Sequence, residues 1–178
     1  VEQAIHQRRS LRQYASLSPD LKLISQILWA AQGITGTEYP FRASPSAGAT
    51  YPLDFYLFCG PASGLMPGAY RYIPKGHQLL SVLEGDIRDR LCEAGLNQGC
   101  IKAAPISIVI TATFSRITQR YGDRGILYAY MEAGHAAQNI LLQAEAMGLG
   151  GVPIGAFQAA DVAQILSLTE EETPIYLV

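Results

Sequence analysis

The sequence lacks the features that mark membrane, secreted and nucleic-acid-binding proteins. No uninterrupted apolar run approaches the roughly 20 residues that a membrane-spanning helix needs. The chain opens on Val1-Glu2-Gln3-Ala4, which has an acid and an amide where a secretory leader would be turning apolar. Charged residues are only 16% of the chain and the net charge is −2, so no global field attracts nucleic acid or anionic lipid. We therefore expect a cytoplasmic protein with neither a nucleic-acid nor a membrane partner.

Cysteine is scarce as well, and the ligand patterns of metal sites are missing. The three cysteines, Cys59, Cys92 and Cys100, are odd in number and form no C-x-x-C pair, which argues against a disulfide framework or a cysteine zinc site. A single Glu132-x-x-His135 is half of a di-iron motif, and no second copy completes it. No G-x-S-x-G elbow supports Ser-His-Asp catalysis. The sequence therefore predicts no metal cofactor, a structural role for His135 and reduced thiols.

What the chain does contain is enough apolar material for a sizeable core. Its 178 residues are 49% apolar, and we predict one domain over residues 1–178. Apolar residues recur at helical spacing in some stretches, while β-branched and aromatic residues cluster in others. Because these stretches interleave without a strict βαβ rhythm, the predicted fold class is α+β.

The pattern assigns elements along the whole chain. Ser18 as N-cap and Pro19 at the first helical position indicate the start of a helix that ends at Gly33. Residues 33–52 have no lasting periodicity and are predicted to form a long loop, which in a compact domain is usually functional. The other predicted helices cover residues 1–9, 85–93, 125–147 and 159–168. The predicted strands cover residues 54–59, 69–73, 78–83, 106–113, 150–154 and 175–178.

The longest predicted helix, over residues 125–147, has small residues on its apolar side. Ala129, Ala133, Ala136 and Ala137 lie there, and Gly134 adds a further small residue. Small side chains allow another backbone to approach closely, so two interpretations are open. The helix is either a central core element, which the residues alone favour, or one packed across a subunit interface.

Two segments in the first third of the chain contain residue types suited to binding a cofactor. Arg8-Arg9-Ser10-Leu11-Arg12 places three guanidinium groups and a hydroxyl together, and the arginine fork binds phosphate bidentately. The alternative is a solvated basic turn at a helix end. The loop Pro45-Ser46-Ala47-Gly48 would let backbone amides approach a flat ligand, or it is an ordinary loop.

A third segment, over residues 148–156, is rich in glycine near the carboxyl end of the chain. It lacks the G-x-G-x-x-G spacing and follows a helix instead of a first strand, so its context excludes a Rossmann site. Its backbone could offer an amide to a ring nitrogen. The alternative is a helix C-cap followed by a strand.

Taken in order, these segments resemble the nitroreductase superfamily of FMN-dependent oxidoreductases. Residues 8–12 match the R-x-S-x-[RK] opening of that family, and Pro45-Ser46 matches its Pro-Ser loop. Val152-Pro153-Ile154-Gly155-Ala156-Phe157 matches its V-P-I-x-[GA]-F segment. Residues 49–54, 121–124 and 131–139 further resemble the SagB-type branch, which includes dehydrogenases of thiazolines and oxazolines in modified peptides. The similarity covers nearly the whole chain.

The resemblance implies a nitroreductase-like fold, a homodimer and an FMN cofactor. The fold has a central mixed or antiparallel sheet flanked by helices, with the long helix at the dimer interface. The residues that would bind the flavin phosphate are Arg8, Arg9, Ser10 and Arg12. Those that would approach the flavin from the partner subunit are Pro45, Ser46, Ala47 and Gly48. Those that would line one face of the ring, with the Gly155 amide near N5, are Pro153, Ile154, Gly155 and Ala156.

Two departures from the family pattern bear on activity. The family commonly continues past the last strand into a short tail with a basic residue near the phosphate, whereas this sequence stops at Val178. Azoline dehydrogenases of the SagB type carry a Lys-Tyr pair for acid–base work, and Arg120-Tyr121 stands at that place here. Arginine stays protonated far above neutral pH and is a poor general base, while Tyr121 remains available. Arg120 and Tyr121 are therefore the candidate catalytic residues.

The activity that the resemblance implies is hydride transfer from NADH or NADPH, through FMN, to an oxidised acceptor such as a nitro compound or a quinone. The flavin carries the chemistry in such enzymes, so no protein nucleophile is needed. Two alternatives stay open. One is FMN-dependent oxidation of peptide thiazolines or oxazolines, and the other is a flavin-binding carrier or sensor without turnover.

Overall fold

A five-stranded sheet forms the centre of the computed structural model, which describes residues 1–15, 19–61 and 64–178. The strands are β1 (Leu53–Cys59), β2 (Gly68–Ile73), β3 (Gln78–Glu84), β4 (Ile106–Thr113) and β5 (Glu172–Leu177). Their order is β3-β2-β1-β4-β5, and each neighbouring pair is antiparallel, with Phe55 opposite Ile110 at the centre. The predicted α+β class is confirmed, and the sheet is antiparallel.

Seven helices flank this sheet in the part of the chain that the structure describes. They are α1 (Glu2–Gln7), α2 (Leu21–Gln32), α3 (Arg88–Ala94), α4 (Gly99–Ala103), α5 (Ser115–Tyr121), α6 (Arg124–Ala146) and α7 (Ala159–Leu166). The predicted long helix is confirmed as α6. Its buried alanines pack with α2 and one face of the sheet.

Both faces of the sheet are covered because successive residues of a strand point to opposite sides. On β1, Phe55 and Leu57 pack in a cluster with α2 and α6. Tyr56 and Phe58 pack on the opposite face in a second cluster with α3, α4 and α7. Burial on both faces accounts for the lack of apolar–polar alternation in β4, whose residues from Ser107 to Thr113 are all buried.

The first two helices differ from their predicted bounds. Asp20 is the N-cap of α2, and its carboxylate accepts a hydrogen bond from Leu23 N–H at 2.8 Å. Pro19 therefore precedes the cap instead of opening the helix, and Ser18 lies outside the described residues. Serine and aspartate are both common N-cap residues, and the prediction placed the cap at the first of the two in the Ser-Pro-Asp sequence. α1 ends at Gln7, which leaves Arg8 and Arg9 outside the helix.

The predicted strand over residues 150–154 is wrong. That segment makes only isolated bridges, one between Ser10 and Gly151 and one between Ile154 and Leu177. Two glycines weaken an extended ladder and Pro153 cannot donate to one, which explains the absence of a regular strand. The predicted loop over residues 33–52 is confirmed, apart from a 3₁₀ turn at Ala47–Ala49.

Other differences concern short elements and boundaries. The helices α4 and α5 were not predicted because five and seven residues are too few to show a helical period. α3 begins at Arg88, three positions later than predicted. β5 begins at Glu172, three positions earlier than predicted, and includes Pro174.

Three properties of the described residues relate to the classes of protein and site that the composition argued against. None of the helices there is both long enough and apolar enough to cross a membrane. No group of three or more metal-ligating side chains occurs in that part of the chain. The thiols of Cys59, Cys92 and Cys100 form no disulfide.

Candidate active site

The candidate site residues fall into two groups that contact α6 at different levels. The first group, which contains Gly151, lies against Leu141 of α6: a Cβ added to Gly151 would be 3.1 Å from the Leu141 side chain. In the other, the Ala47 amide binds the carboxylate of Glu132 at 2.8 Å. Positions 132 and 141 are separated by about 14 Å along the helix axis, given a rise of about 1.5 Å per residue.

In the first group, the arginine segment lies beside the glycine-rich segment. Ser10 and Gly151 form a parallel bridge, and Leu11 N–H donates to the Gly151 carbonyl at 3.1 Å. A Cβ on Gly150 would collide with the Leu11 side chain, so glycine permits this close approach. Two segments from opposite ends of the sequence, both predicted to bind the cofactor, are thus brought together.

The three arginines of that segment differ in what they contact. Arg9 Nη1 donates to the carbonyl groups of His6 and Arg8, at 2.9 and 2.8 Å, and so stabilises the turn after α1. The guanidinium groups of Arg8 and Arg12 have no acidic partner within the described ranges. Arg12 is exposed and Arg8 is half-buried. Arg8 and Arg12 are therefore the two that can accept an anionic ligand.

The segment over residues 153–156 exposes its backbone next to a buried anchor. Ile154 is buried and exchanges two backbone hydrogen bonds with Leu177, at 2.8 and 3.1 Å. Gly155 and Ala156 are exposed, and Pro153 is half-buried. The Gly155 N–H has no acceptor among the described residues, and a Cβ there would meet only the Tyr176 ring, at 3.9 Å. Gly155 therefore offers a hydrogen-bond donor with open space beside it.

In the second group, the candidate catalytic residues lie against the Pro-Ser loop. Arg120 and Tyr121 end α5, and Arg120 Nη1 donates to the Gly48 carbonyl at 3.2 Å. A Cβ on Gly48 would lie 2.7 Å from the Tyr121 hydroxyl, and Gly48 has a φ of +60°. The Tyr121 ring packs edge-on against Tyr128, with centroids 5.4 Å apart. The contact with Gly48 joins residues that are more than seventy positions apart in sequence.

Pro45 and Ser46 begin the same loop and complete this group. Pro45 is exposed, and Ser46 and Ala47 are half-buried. The Ser46 hydroxyl accepts a hydrogen bond from Tyr51 N–H at 2.9 Å, which folds the loop back on itself. No hydrogen bond or ion pair joins this loop to residues 8–12 within the part of the chain that is described.

Sequence reasoning missed the part that Glu132 plays in this group. Its side chain is 3% exposed, and Oε1 accepts the Ala47 hydrogen bond. Burial raises the pKa of Glu132, and the Ala47 amide, the Ser46 hydroxyl and His135 oppose that rise. The signal was present in the sequence, because Glu132 shares a helix face with Ala129, Ala133 and Ala136 and was therefore due to be buried.

Comparison with known proteins identifies the class to which this fold and these segments belong. The model of the nitroreductase family matches residues 5–178, so the chain belongs to the nitroreductase family. A Methanocaldococcus jannaschii protein named as a nitroreductase is 42% identical over 170 residues, which are 96% of this chain and 85% of that protein. An NADPH-flavin oxidoreductase of Vibrio harveyi is 31% identical over 106 residues, which are 55% of this chain and 44% of that enzyme.

The fold agrees with this assignment. The crystal structure of a Ralstonia eutropha protein described as a nitroreductase superposes with a TM-score of 0.84 at 28% identity. The match covers 98% of this chain and 78% of that one. The resemblance inferred from the three segments is thus confirmed for the family and for the fold.

Proposed function

We propose that the protein is an FMN-dependent oxidoreductase that takes hydride from NADH or NADPH and reduces an oxidised acceptor such as a nitro compound or a quinone. Family membership and the similarity to an NADPH-flavin oxidoreductase support oxidoreductase chemistry with a flavin. One observation carries the proposal. An arginine segment runs beside a glycine-rich segment, and neither the guanidinium groups of Arg8 and Arg12 nor the exposed Gly155 amide has a partner among the described residues.

The donors of the first group fit the two ends of a flavin mononucleotide. Arg8 and Arg12, with the Ser10 hydroxyl between them, would hold the phosphate, because charge-assisted bonds to a dianion are strong. Residues 153–156 would lie along one face of the ring, where Gly155 leaves space. When bound, FMN supplies hydride transfer at its N5. The Gly155 N–H would donate a hydrogen bond toward that nitrogen.

The second group would complete the site on the side of the flavin away from the first group. Pro45, Ser46, Ala47 and Gly48 would cover the flavin, and Tyr121 would hold a proton near the substrate. A guanidinium group is a poor general base, so the role of Arg120 would be to orient the Gly48 carbonyl and to attract negative charge. Neither role requires a protein nucleophile.

We propose further that the active unit is a homodimer in which this second group reaches the flavin of the partner subunit. The separation of about 14 Å between the two groups along α6 supports a site divided between subunits. So does the surface of α6, where Leu127, Tyr130 and Met131 are 43%, 50% and 50% exposed. A monomer would leave these apolar side chains in water, where they give no stabilisation.

Stopped-flow mixing of the FMN-loaded protein with NADH or NADPH, without oxygen, tests the activity. We expect rapid loss of the flavin's visible absorbance and its return when a nitro compound or a quinone is added. The position of Tyr121 beside the loop favours azoline oxidation as a second candidate. Bleaching by a thiazoline peptide but not by a nicotinamide would assign that activity, and bleaching by neither would indicate a carrier.

A further inference from the structure

We propose that Glu132 is a positioning residue that fixes the conformation of residues 45–51, named the flavin loop hereafter. The loop's role in holding a flavin is the one proposed above, and the inference about Glu132 rests on it. Among the described residues, no hydrogen bond or ion pair joins Glu132 to the arginine segment or to residues 153–156. It would act on the reaction only through the loop that it holds.

The flavin loop has a backbone that needs support from outside. Gly48, Ala49 and Tyr51 have φ values of +60°, +53° and +46°. Residues with a Cβ seldom adopt this left-handed conformation, and where they do, the surrounding structure must impose it. Two such residues within three positions indicate that contacts hold the loop in this shape.

Several of these contacts come from the loop itself or from exposed side chains. The Ser46 hydroxyl binds Tyr51 N–H at 2.9 Å, and the Arg42 guanidinium lies 4.2 Å from the centroid of the Tyr51 ring. These pairs join residues of the segment to one another, and the side chains that link it to its surroundings here make only long hydrogen bonds, Arg42 to Gln32 at 3.4 Å and Arg116 to the Tyr51 carbonyl at 3.5 Å. From α5, Arg120 reaches the Gly48 carbonyl at 3.2 Å, but its side chain is exposed to competing water.

Buried hydrogen bonds from α2 and α6 connect this segment to the core. From α2, the Ala31 carbonyl accepts from Ser44 Oγ at 2.7 Å, and α6 provides the bonds nearer the loop. Glu132 Oε1 accepts from Ala47 N–H at 2.8 Å. Seven positions later, about two helical turns along the same face, Asn139 Nδ2 donates to Ser44 Oγ at 3.0 Å and to the Ala43 carbonyl at 3.4 Å. Asn139 thus fixes the approach to the loop, and Glu132 fixes the first amide of its 3₁₀ turn.

The hydrogen bonding of the Glu132 carboxylate is directed to the loop, through the Ala47 amide and the nearby Ser46 hydroxyl. Oε2 is buried and has no hydrogen-bond partner among the described residues. A buried acid with an unsatisfied oxygen destabilises the fold relative to an apolar residue of similar size. Its one geometrically well-formed hydrogen bond goes to the strained loop, which is what a positioning role requires.

Hydrogen exchange of the Ala47 and Tyr51 amides in the flavin-free protein tests the proposal directly. Glu132→Ala removes the acceptor, Glu132→Gln retains an acceptor oxygen of equal reach, and Glu145→Gln is a matched control near the other end of α6. We expect exchange to be faster by about tenfold in Glu132→Ala, because a charge-assisted hydrogen bond is lost. Glu132→Gln should stay within about threefold of wild type, and the control should not change.

Unchanged exchange of these amides in Glu132→Ala, even with a lower melting temperature, would overturn the proposal and make Glu132 an ordinary buried residue. If Glu132→Ala does not fold, Glu132→Asp replaces it, since one methylene less withdraws the oxygen from Ala47. Faster exchange of the loop in that variant supports the proposal, and wild-type exchange overturns it.

A fluorescence titration with FMN separates this inference from the proposed function. We expect the FMN dissociation constant to rise about tenfold in Glu132→Ala and to be largely restored in Glu132→Gln. The visible circular dichroism of bound FMN should change in parallel, which a purely structural defect would not cause. Faster loop exchange with unchanged FMN affinity would support the positioning role and would contradict the placement of the flavin at this loop.

Discussion

Single side chains in the arginine segment are expected to contribute unequally to cofactor binding. Arg8→Ala or Arg12→Ala should weaken FMN binding tenfold to a hundredfold, since a charge-assisted bond to a dianion contributes about 1.5–3 kcal/mol. Arg9→Ala should instead loosen the turn after α1, because Arg9 already binds two carbonyl groups there. Equilibrium titration with FMN measures the effect, and Arg90→Ala, an exposed arginine of α3, is the control. Unchanged affinity in both variants would restore the interpretation as a solvated turn.

Gly155 gives a second prediction at the scale of one residue. The chain itself leaves room for a side chain there, since an added Cβ would meet only Tyr176 at an ordinary distance of 3.9 Å. Gly155→Val should therefore leave thermal melting of the flavin-free protein nearly unchanged. It should slow flavin reduction on the order of a hundredfold, because a displacement of about 1 Å at the ring has that effect. Reduction at the wild-type rate with FMN bound would place the ring elsewhere.

The ionisation of Glu132 predicts how stability depends on pH. Burial raises the pKa of this carboxyl above its ordinary value near 4.5, so the folded state binds the proton more tightly than the unfolded chain. The stability that Glu132 contributes is complete when the pH is below the ordinary pKa, and it is lost as the pH rises through the raised pKa of the folded state. When the pH is raised from below the ordinary pKa to above the raised pKa, the free energy of unfolding should fall more for wild type than for Glu132→Gln. Urea denaturation over a pH series measures this, and parallel curves would contradict it.

At the scale of elements, α6 connects the sheet, α2 and the loop before β1. Asn139 makes this connection with one amide, which donates to the Ala30 carbonyl at 3.2 Å as well as to Ser44. Asn139→Ala should lower the free energy of unfolding by about 1–3 kcal/mol, because it removes the donor from two acceptors that belong to buried residues. Denaturant unfolding measures the loss. Gln138→Ala, at an exposed position next to it, should have almost no effect, and equal losses in both variants would disprove the connection.

At the scale of the whole molecule, the proposal that the site is divided between subunits predicts an obligate dimer. Light scattering of the FMN-loaded protein should give a particle of twice the 19.3 kDa chain mass. Met131→Lys should shift that particle toward the monomer and weaken FMN binding, since it places a charge on the exposed apolar face of α6. Leu96→Lys, at an equally exposed position outside α6, is the control. A wild-type particle of 19.3 kDa would exclude the dimer.

Long elements with a clear period were predictable from the sequence. The β-branched run of β4 and the alanine positions of α6 each depend on a local pattern, and their bounds agree with the structure within a residue or two. The family was predictable for a related reason, since three short segments in a fixed order identify it without any knowledge of their positions in space. Short helices such as α4 and α5 were not predictable, because their stability comes from packing and not from a pattern of their own.

The sequence by itself determined the fold class, the family and the residue types available for binding an anion and a ring. Only the tertiary structure decided which of them meet. It joined Ser10 to Gly151 and Arg120 to Gly48, pairs whose contact depends on how distant segments pack. It also made Glu132, which the sequence offered only as part of an incomplete metal motif, the partner of the Ala47 amide. The physical reason is that periodicity records only which face of an element is buried, whereas a hydrogen bond across 85 positions depends on the arrangement of the whole chain.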